Sequence, residues 1–391
     1  MSGLSRRAPA FLPAFCALMF FVGFEMGGFQ FALRGISAEF SIDSIGSGLL
    51  VAAQYASVIL MPLLFGNLAD RIGKRIVILS FSVVLLLGCL LASLAGGVFV
   101  FAAGVFLIGA GYSVCETAGS AALADASPED GARFVNLSQG ALSLGAVVSP
   151  ILTQLFAKAL GSGWRLMFLL CMAGTLVSAL FLFFLPISTE KQIAAVGKPP
   201  ISPANYFKDL PFVLFFASIL LYVGLENGFG YFSESLFTLE LGAISLSAYA
   251  ISVYWASMAL SRLLFGLLPI KPERALVVCL GVSGALFLAL WLLKLPVPAL
   301  VVCALIGFAF GPVWSSLMNL AAARCPGSSG GAMGLMSAGC GLGGALFPAL
   351  MGVISARLNL RAAFLLLAIA AAIAALLSLL AARRTKIEPK G

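Results

Sequence analysis

Three acidic residues stand inside long apolar runs of this chain: Glu25, Glu116 and Glu226. A charge at the centre of a bilayer costs at least about 2.5–3.5 kcal/mol on insertion scales, so it is seldom placed there without a partner or a task. Desolvation disfavours the ionised form, which suits such an acid to loading a proton on one side of a membrane and releasing it on the other. The sequence contains no histidine, so a side-chain proton relay must rest on carboxylates assisted by tyrosines or water. Glu25 sits in Val22-Gly23-Phe24-Glu25-Met26-Gly27, and the pattern returns 201 positions later as Val223-Gly224-Leu225-Glu226-Asn227-Gly228. Gly23 and Gly27 lie one helical turn apart, a small-residue face for close helix packing. Glu25 falls nearly opposite that face and is expected to look into a polar cavity. The alternative is a protonated acid bonded to a neighbouring helix for packing alone.

Polar side chains at helical spacing could handle a solute. Tyr112, Ser113, Glu116 and Ser120 fall at i, i+1, i+4 and i+8, one polar stripe on an apolar helix. Asn136, Gln139 and Ser143 form a second stripe at i, i+3 and i+7. Two such stripes offer the many donors and acceptors that a neutral polyol needs; interhelical hydrogen bonding is the structural alternative. Asn227, Tyr231, Tyr254, Trp255 and Trp314 add an amide and aromatic rings in the second half, and a sugar's apolar ring face stacks well on such rings. Arg262 lies within an apolar run, placed either to snorkel or to pair with a carboxylate of the other half.

The elements that must position these residues are membrane spans. Of the 391 residues 61% are hydrophobic and 10% charged, and mean hydropathy is +1.10, values of a polytopic helical membrane protein. Twelve apolar segments reach the roughly 20 residues a span requires: 11–33, 45–68, 76–96, 98–122, 135–158, 165–186, 211–237, 246–269, 275–293, 297–321, 332–355 and 362–382. The polar stretch 187–210 separates six from six, giving an N-terminal bundle (1–186), a linker and a C-terminal bundle (211–391). Most of the 23 Lys and Arg residues, among them Arg6, Arg7, Arg71, Lys74, Arg75, Lys191, Lys198, Arg383 and Arg384, fall on one side of that plan. The positive-inside rule makes that side cytoplasmic, with both termini on it. The same rule accounts for the net charge of +8 without a nucleic-acid partner. The eight cysteines, nearly all in apolar segments and with no Cys-x-x-Cys pair, read as small buried residues, with neither a disulfide framework nor a metal site. Arg6 and Arg7 precede a run taken as a retained first span. Further echoes support a duplication: Leu63-Leu64-Phe65-Gly66 with Leu263-Leu264-Phe265-Gly266, Gly145-Ala146 and Pro150 with Gly344-Ala345 and Pro348, and Trp164-Arg165 with Leu360-Arg361.

Gly66-Asn67-Leu68-Ala69-Asp70-Arg71-Ile72-Gly73-Lys74-Arg75, after the second span, resembles the signature loop of the major facilitator superfamily. That resemblance implies two six-helix halves repeated in parallel about an axis along the membrane normal. It also implies gating roles for Gly66, Asp70, Arg71, Gly73 and Arg75, with Asp70 and Arg71 latching one side; Arg262 joins them as a gating candidate. Other stretches are similar to the fucose:proton symporter branch: Cys115-Glu116-Thr117-Ala118, Asn136-Leu137-Ser138-Gln139 followed by Ser143, Tyr222-Val223-Gly224-Leu225-Glu226, and Tyr254-Trp255 with Met258 and Arg262. The chain departs from that branch late in span one, where Leu33-Arg34 stands in place of an Asn-Asp pair, and at Gly311-Pro312-Val313-Trp314 in span ten. Arg34 there makes an anionic solute worth testing.

The expected protein is therefore an all-α, twelve-span transporter in a bacterial-type inner membrane, a monomer that needs no cofactor beyond the proton as coupling ion. It would take up a monosaccharide or related polyol, with Glu116, Glu25 and Glu226 as proton carriers in that order. Rival readings are a proton-driven exporter of amphipathic compounds and a membrane sensor that binds without transport. Neither a nucleophile–base pair nor a phosphate loop points to an enzyme. Reporter fusions placed after Lys198 and after Arg384 should both report cytoplasm, and one near Asp43 the outside; a periplasmic signal at Lys198 would break the twelve-span scheme.

Overall fold

The computed structural model describes residues 9–126, 131–160, 163–185, 187, 206–267, 271–324 and 329–387. Those residues form helices α1 (Leu12–Glu39), α2 (Ser44–Ile72), α3 (Lys74–Ser93), α4 (Val98–Ala126), α5 (Gly131–Leu160), α6 (Gly163–Phe184), α7 (Leu210–Ser235), α8 (Ile244–Leu267), α9 (Pro272–Leu292), α10 (Pro296–Phe310), α11 (Val313–Arg324), α12 (Ser329–Arg357) and α13 (Leu360–Ile387). A π turn, Leu236–Glu240, extends α7. By length and composition these make twelve membrane-crossing elements, α10 and α11 together forming the tenth.

Two boundaries differ from expectation for physical reasons. Span ten reads as one apolar run but breaks at Gly311-Pro312. Pro312 brings no backbone N–H and crowds the preceding turn. Gly311 leaves so little room that a Cβ there would press on Ser261 of α8. The first helix runs on to Glu39, beyond the apolar stretch, because its late charges find partners that hydropathy cannot show.

Small residues let α1 cross α5 closely. A Cβ on Gly23 or Gly27 would overlap the backbone of Leu142 or Ala146, and one on Gly145 the backbone of Phe20. The second half repeats the crossing between α7 and α12, where Gly343 meets the backbone of Leu220. The structural counterpart of Gly145 is thus Gly343, one residue earlier than the sequence echo at Gly344. Gly344 instead lies under the ring of Tyr55 across the two halves.

Each half carries the same arginine clamp at the end away from the chain's start and finish. Arg165 Nη1 donates to the carbonyls of Ser93 (2.9 Å) and Ala95 (2.8 Å), and its Nη2 to Glu39 (2.6 Å). Arg361 Nη1 donates to the carbonyls of Trp291 (2.8 Å) and Leu293 (3.0 Å), and its Nε to Glu240 (3.0 Å). The clamp ties the first, third and sixth helix of each half together, which explains the Trp164-Arg165 and Leu360-Arg361 echo.

The halves meet along a seam of α2 with α12, α5 with α8, and α1 with α7. At the clamped end α2 and α12 touch backbone to backbone, Gly48 on Pro348 and Gly352 on Ser44. Toward the opposite end, where the described chain begins and finishes (the terminal end), they part. A Cβ on Gly334 would find only the carbonyl of Pro62, at 4.0 Å. The molecule is sealed at the clamped end and loosened at the terminal end. Gly145→Val and Gly343→Val should each lower the melting temperature in detergent, since forced overpacking costs about 1–3 kcal/mol. Gly281→Val, at a site with no neighbour within 4 Å, should leave it unchanged.

Candidate functional site

The loosened end opens into a space between the halves. Its outer chamber is an open-mouthed volume of about 850 Å³ lined by α2, α3, α4, α11 and α12, including Lys74, Glu116, Ser120, Trp314 and Cys340. A deeper chamber of about 510 Å³ is lined by Tyr55, Tyr112, Glu116, Gln139, Glu226, Asn227, Arg262, Trp314 and Cys340. Glu116, Trp314 and Cys340 line both, so the two are continuous.

Helical spacing places the polar groups here. On α4, Tyr112 and Glu116 are one turn apart; on α5, Gln139, one turn before Ser143, faces them. Gln139 Nε2 donates to Glu116 Oε1 at 2.7 Å. From the other half, Arg262 Nη1 donates to the carbonyl of Gln139 (3.0 Å) and to Ser143 Oγ (2.7 Å). The guanidinium is therefore bonded across the halves to neutral groups, and among the described residues it forms no ion pair. Its Nη2 and Nε have no protein partner in that set, in a side chain that lines the chamber. A second cross-half bond runs from Tyr55 Oη to Asn227 Oδ1 at 2.5 Å, while Asn227 Nδ2 holds the carbonyl of Val223 at 2.9 Å.

Of the residues singled out by sequence, Glu116, Glu226, Tyr112, Gln139, Asn227, Arg262 and Trp314 come together on this chamber. Ser143 lies behind it under Arg262. Others do not reach it. Glu25 is fully buried and lines neither chamber; Gln54 Nε2 donates to both its carboxylate oxygens at 3.1 and 3.2 Å. The expectation that Glu25 looks into a polar cavity is not met at these two chambers, and the helix-bonding alternative describes it here, α2 bringing an amide against it. Tyr231 Oη donates to Gln54 Oε1 (3.0 Å) and its ring packs edge-on against Phe29. Trp255 Nε1 donates to Gln30 Oε1 (2.9 Å), and Tyr254 is buried against Phe229. Asn136 is half-buried on α5 and lines neither chamber.

Gly66, Asp70 and Arg71 fall outside the residues whose side chains are described. Gly73 joins α2 to α3 at φ 103°, a left-handed conformation that a side chain would strain. Arg75 donates to the carbonyl of Phe183 and stands 5.8 Å from that ring, tying α3 to α6.

Sequence reasoning missed Gln54, Tyr55, Gln30 and Cys340. The first three had a usable signal, since polar side chains are rare in spans and usually face the bundle interior. Cys340 had none, being one cysteine among several in apolar segments.

Residues 14–345 match the family model of the Major Facilitator Superfamily. The cis,cis-muconate transport protein of Acinetobacter baylyi is 28% identical over 326 residues, covering 77% of this chain and 76% of that protein. The facilitated glucose transporter member 10 of solute carrier family 2 from Homo sapiens is 27% identical, over 43% of this chain and 31% of its own length. Among solved structures, an E. coli fucose:proton symporter variant superposes with a TM-score of 0.71 at 18% identity, covering 96% of this chain and 99% of that one. A second structure of that symporter, in the outward conformation, gives 0.70 at 16% identity, covering 95% and 98%. At such identities the superpositions establish the fold.

The geometry predicts that Cys340 reacts with a small thiol reagent supplied from the terminal end, faster than Cys89 and Cys303, which are 0% exposed away from the chambers. Equal rates at the three cysteines would mean that the chamber does not open there.

Proposed function

Because the chain belongs to the Major Facilitator Superfamily, we propose that it moves a small polar solute, a monosaccharide or related polyol, into the cell by proton-coupled alternating access. Its relatives by sequence and by structure are transporters. The observation that carries the reading is the meeting of Glu116, Gln139 and Arg262 at the centre of the seam. A carboxylate and a guanidinium from opposite halves are joined there through one glutamine. A solute entering the chamber competes for the same donors and acceptors, and a proton on Glu116 changes what Gln139 can offer it. Proton and solute thus each act on a contact that differs between the two states, which coupling requires. Trp314, Tyr55 and Tyr112 supply ring faces for the apolar side of a sugar.

In this reading the terminal end is cytoplasmic, the membrane is a bacterial inner membrane, and the linker over 187–210 joins two halves that rock against each other. The conformation described then faces inward. A second reading replaces the sugar with an organic anion. It is favoured by the unfilled donors of Arg262, whose fork matches a carboxylate, and by the sequence relative that carries muconate.

Glu116→Gln decides the coupling. The amide keeps size and hydrogen bonding but cannot exchange a proton. Substrate exchange across vesicle membranes should survive while accumulation driven by a pH gradient falls to the external concentration. Glu25→Gln and Glu226→Gln provide the comparison, and a thermal-shift screen over sugars, polyols and carboxylates supplies the substrate. Normal uphill accumulation by all three variants, alone and combined, would overturn proton coupling through these acids.

A further inference from the structure

Among the described residues, one ion pair at the clamped end crosses the halves. Arg34 Nη1 of α1 lies 3.4 Å from Glu234 Oε1 of α7, and Thr238 Oγ1, one turn further along α7, donates to the same oxygen at 2.8 Å. The arginine side chain is 45% exposed, whereas that of the glutamate is 8% exposed. The other carboxylate oxygen, Glu234 Oε2, is buried and has no hydrogen-bond partner. A second orphan lies one turn deeper in the same seam. Gln30 Nε2 is buried and unpartnered, and a Cβ on Gly230 of α7 would press on this amide. Gln30 is four residues before Arg34, and Gly230 four before Glu234, so the pairs stack on facing helix surfaces. Orphaned buried atoms in native structures call for a physical explanation. The buried, unfilled Oε2 is where a proton can add, against the opposing charge of Arg34.

We propose that Glu234 is a proton-binding site for the medium at the clamped end, and that its protonation releases the seal between α1 and α7. The proton adds to Oε2, the carboxylate becomes a neutral acid, and Arg34 loses its counter-charge and turns to water. The contact then loses its charge attraction, and opening it costs less. The closed state requires the ionised form and the open state accepts the neutral one, so acidity on that side favours the open state. This rests on the alternating-access reading and adds an acid that neither the sequence stripes nor the central chamber contains.

The charged and titratable surroundings leave Arg34 as the partner. Of the elements packed near this part of α7, α1 also carries Glu25, held by Gln54, and Glu39, held by Arg165. The helix α2 carries Asp43, whose Oδ1 caps its own helix, and Tyr55, bonded to Asn227. From α8 come Tyr249, Tyr254 and Arg262, the last held by α5. Cys340 and Arg357 belong to α12, and Arg361 of α13 is taken by Glu240. On α7 itself Tyr231 donates to Gln54. None of these forms an ion pair with Glu234 among the described residues.

The test reads the seal directly. Ser252 is buried on α8, where its Oγ donates to the carbonyl of Val147 across the halves at 2.8 Å. In a cysteine-free background, Ser252→Cys is labelled with a membrane-impermeant maleimide from the clamped side. Rates are normalised to Leu358→Cys, a 72% exposed loop position at the same end, to remove the pH dependence of the thiol reaction. Labelling should rise by at least about fivefold, the low end of typical site-to-site coupling, as the medium goes from about pH 8 to about pH 5. Glu234→Gln should label at the high rate at both pH values, and so should Arg34→Gln, which serves alone if the glutamate variant is not recovered from membranes. A parent rate that ignores pH, or a Glu234→Gln rate that still rises as the parent's does, would overturn the proposal. Intact counterflow and accumulation beside such a null labelling result would confine the failure to Glu234. A labelling response in a protein without counterflow would instead count against the transport reading and leave the proton site standing.

Discussion

A charge inside an apolar bilayer must be partnered, neutralised or kept wet, and this one constraint arranges the interior of the molecule. Each acid of the core meets it differently. Glu25 is sealed against the amide of Gln54. Glu116 takes the amide of Gln139 and opens on the chamber. Glu234 is shared between Thr238 and Arg34. Arg262 spends one nitrogen on neutral groups of the opposite half. Since most of these partners come from another helix, and several from the other half, satisfying charge is the same act as joining the halves.

Duplication supplied the frame, and divergence of the facing residues supplied the function. Gly109 packs on the backbone of Gln54, and Gly307 packs on the backbone of Tyr254, which fixes those two as structural counterparts. Tyr55 and Trp255 then correspond as their neighbours. The substitution of tyrosine for glutamine has a direct consequence. Glu25 finds an amide beside it, whereas its repeat Glu226 meets no such group from α8 and lines the chamber. Two acids at equivalent sites thus occupy one dry and one open environment. The clamps at Arg165 and Arg361 did not diverge in what they join, since each ties three helices of its own half together.

Much of this was legible in sequence because the membrane restricts the alternatives. Hydropathy gives the spans, the spacing of Gly23 and Gly27 gives the α1–α5 crossing, and the stripes on α4 and α5 converge on Glu116 and Gln139. The limits are equally physical. Helical spacing shows which face a residue takes but not which helix lies over it, so Glu25, Tyr231 and Trp255 were assigned to a cavity when Gln54 and Gln30 cover them. The end of α1 was unreadable because Arg34 finds its acid 200 residues away. The repeat register at Gly343 was off by one because adjacent glycines leave sequence echo without a unique solution, and only the contact with Leu220 resolves it.

The distribution of bond types bears on how such a molecule can move. Within each half the arginine clamps combine a carboxylate with two carbonyls, and Asp209 holds Arg324 through two bonds of 2.6 and 2.9 Å. Across the seam several polar contacts are single neutral bonds, such as Ser252 to Val147 or Trp255 to Gln30, interspersed with glycine-lined backbone contact. An interhelical hydrogen bond in a membrane contributes about 0.6 kcal/mol on average and under about 2 kcal/mol at most. A seam of that kind can open in sequence from one end, each bond giving way for a modest cost. Charge-assisted clamps, roughly twice as strong per bond, keep the halves intact while it does. The ion pair of Arg34 with Glu234 departs from this division, as do the bonds of the Arg262 guanidinium; both are charged contacts placed across the seam. A contact of that type makes opening depend on whatever can remove the charge.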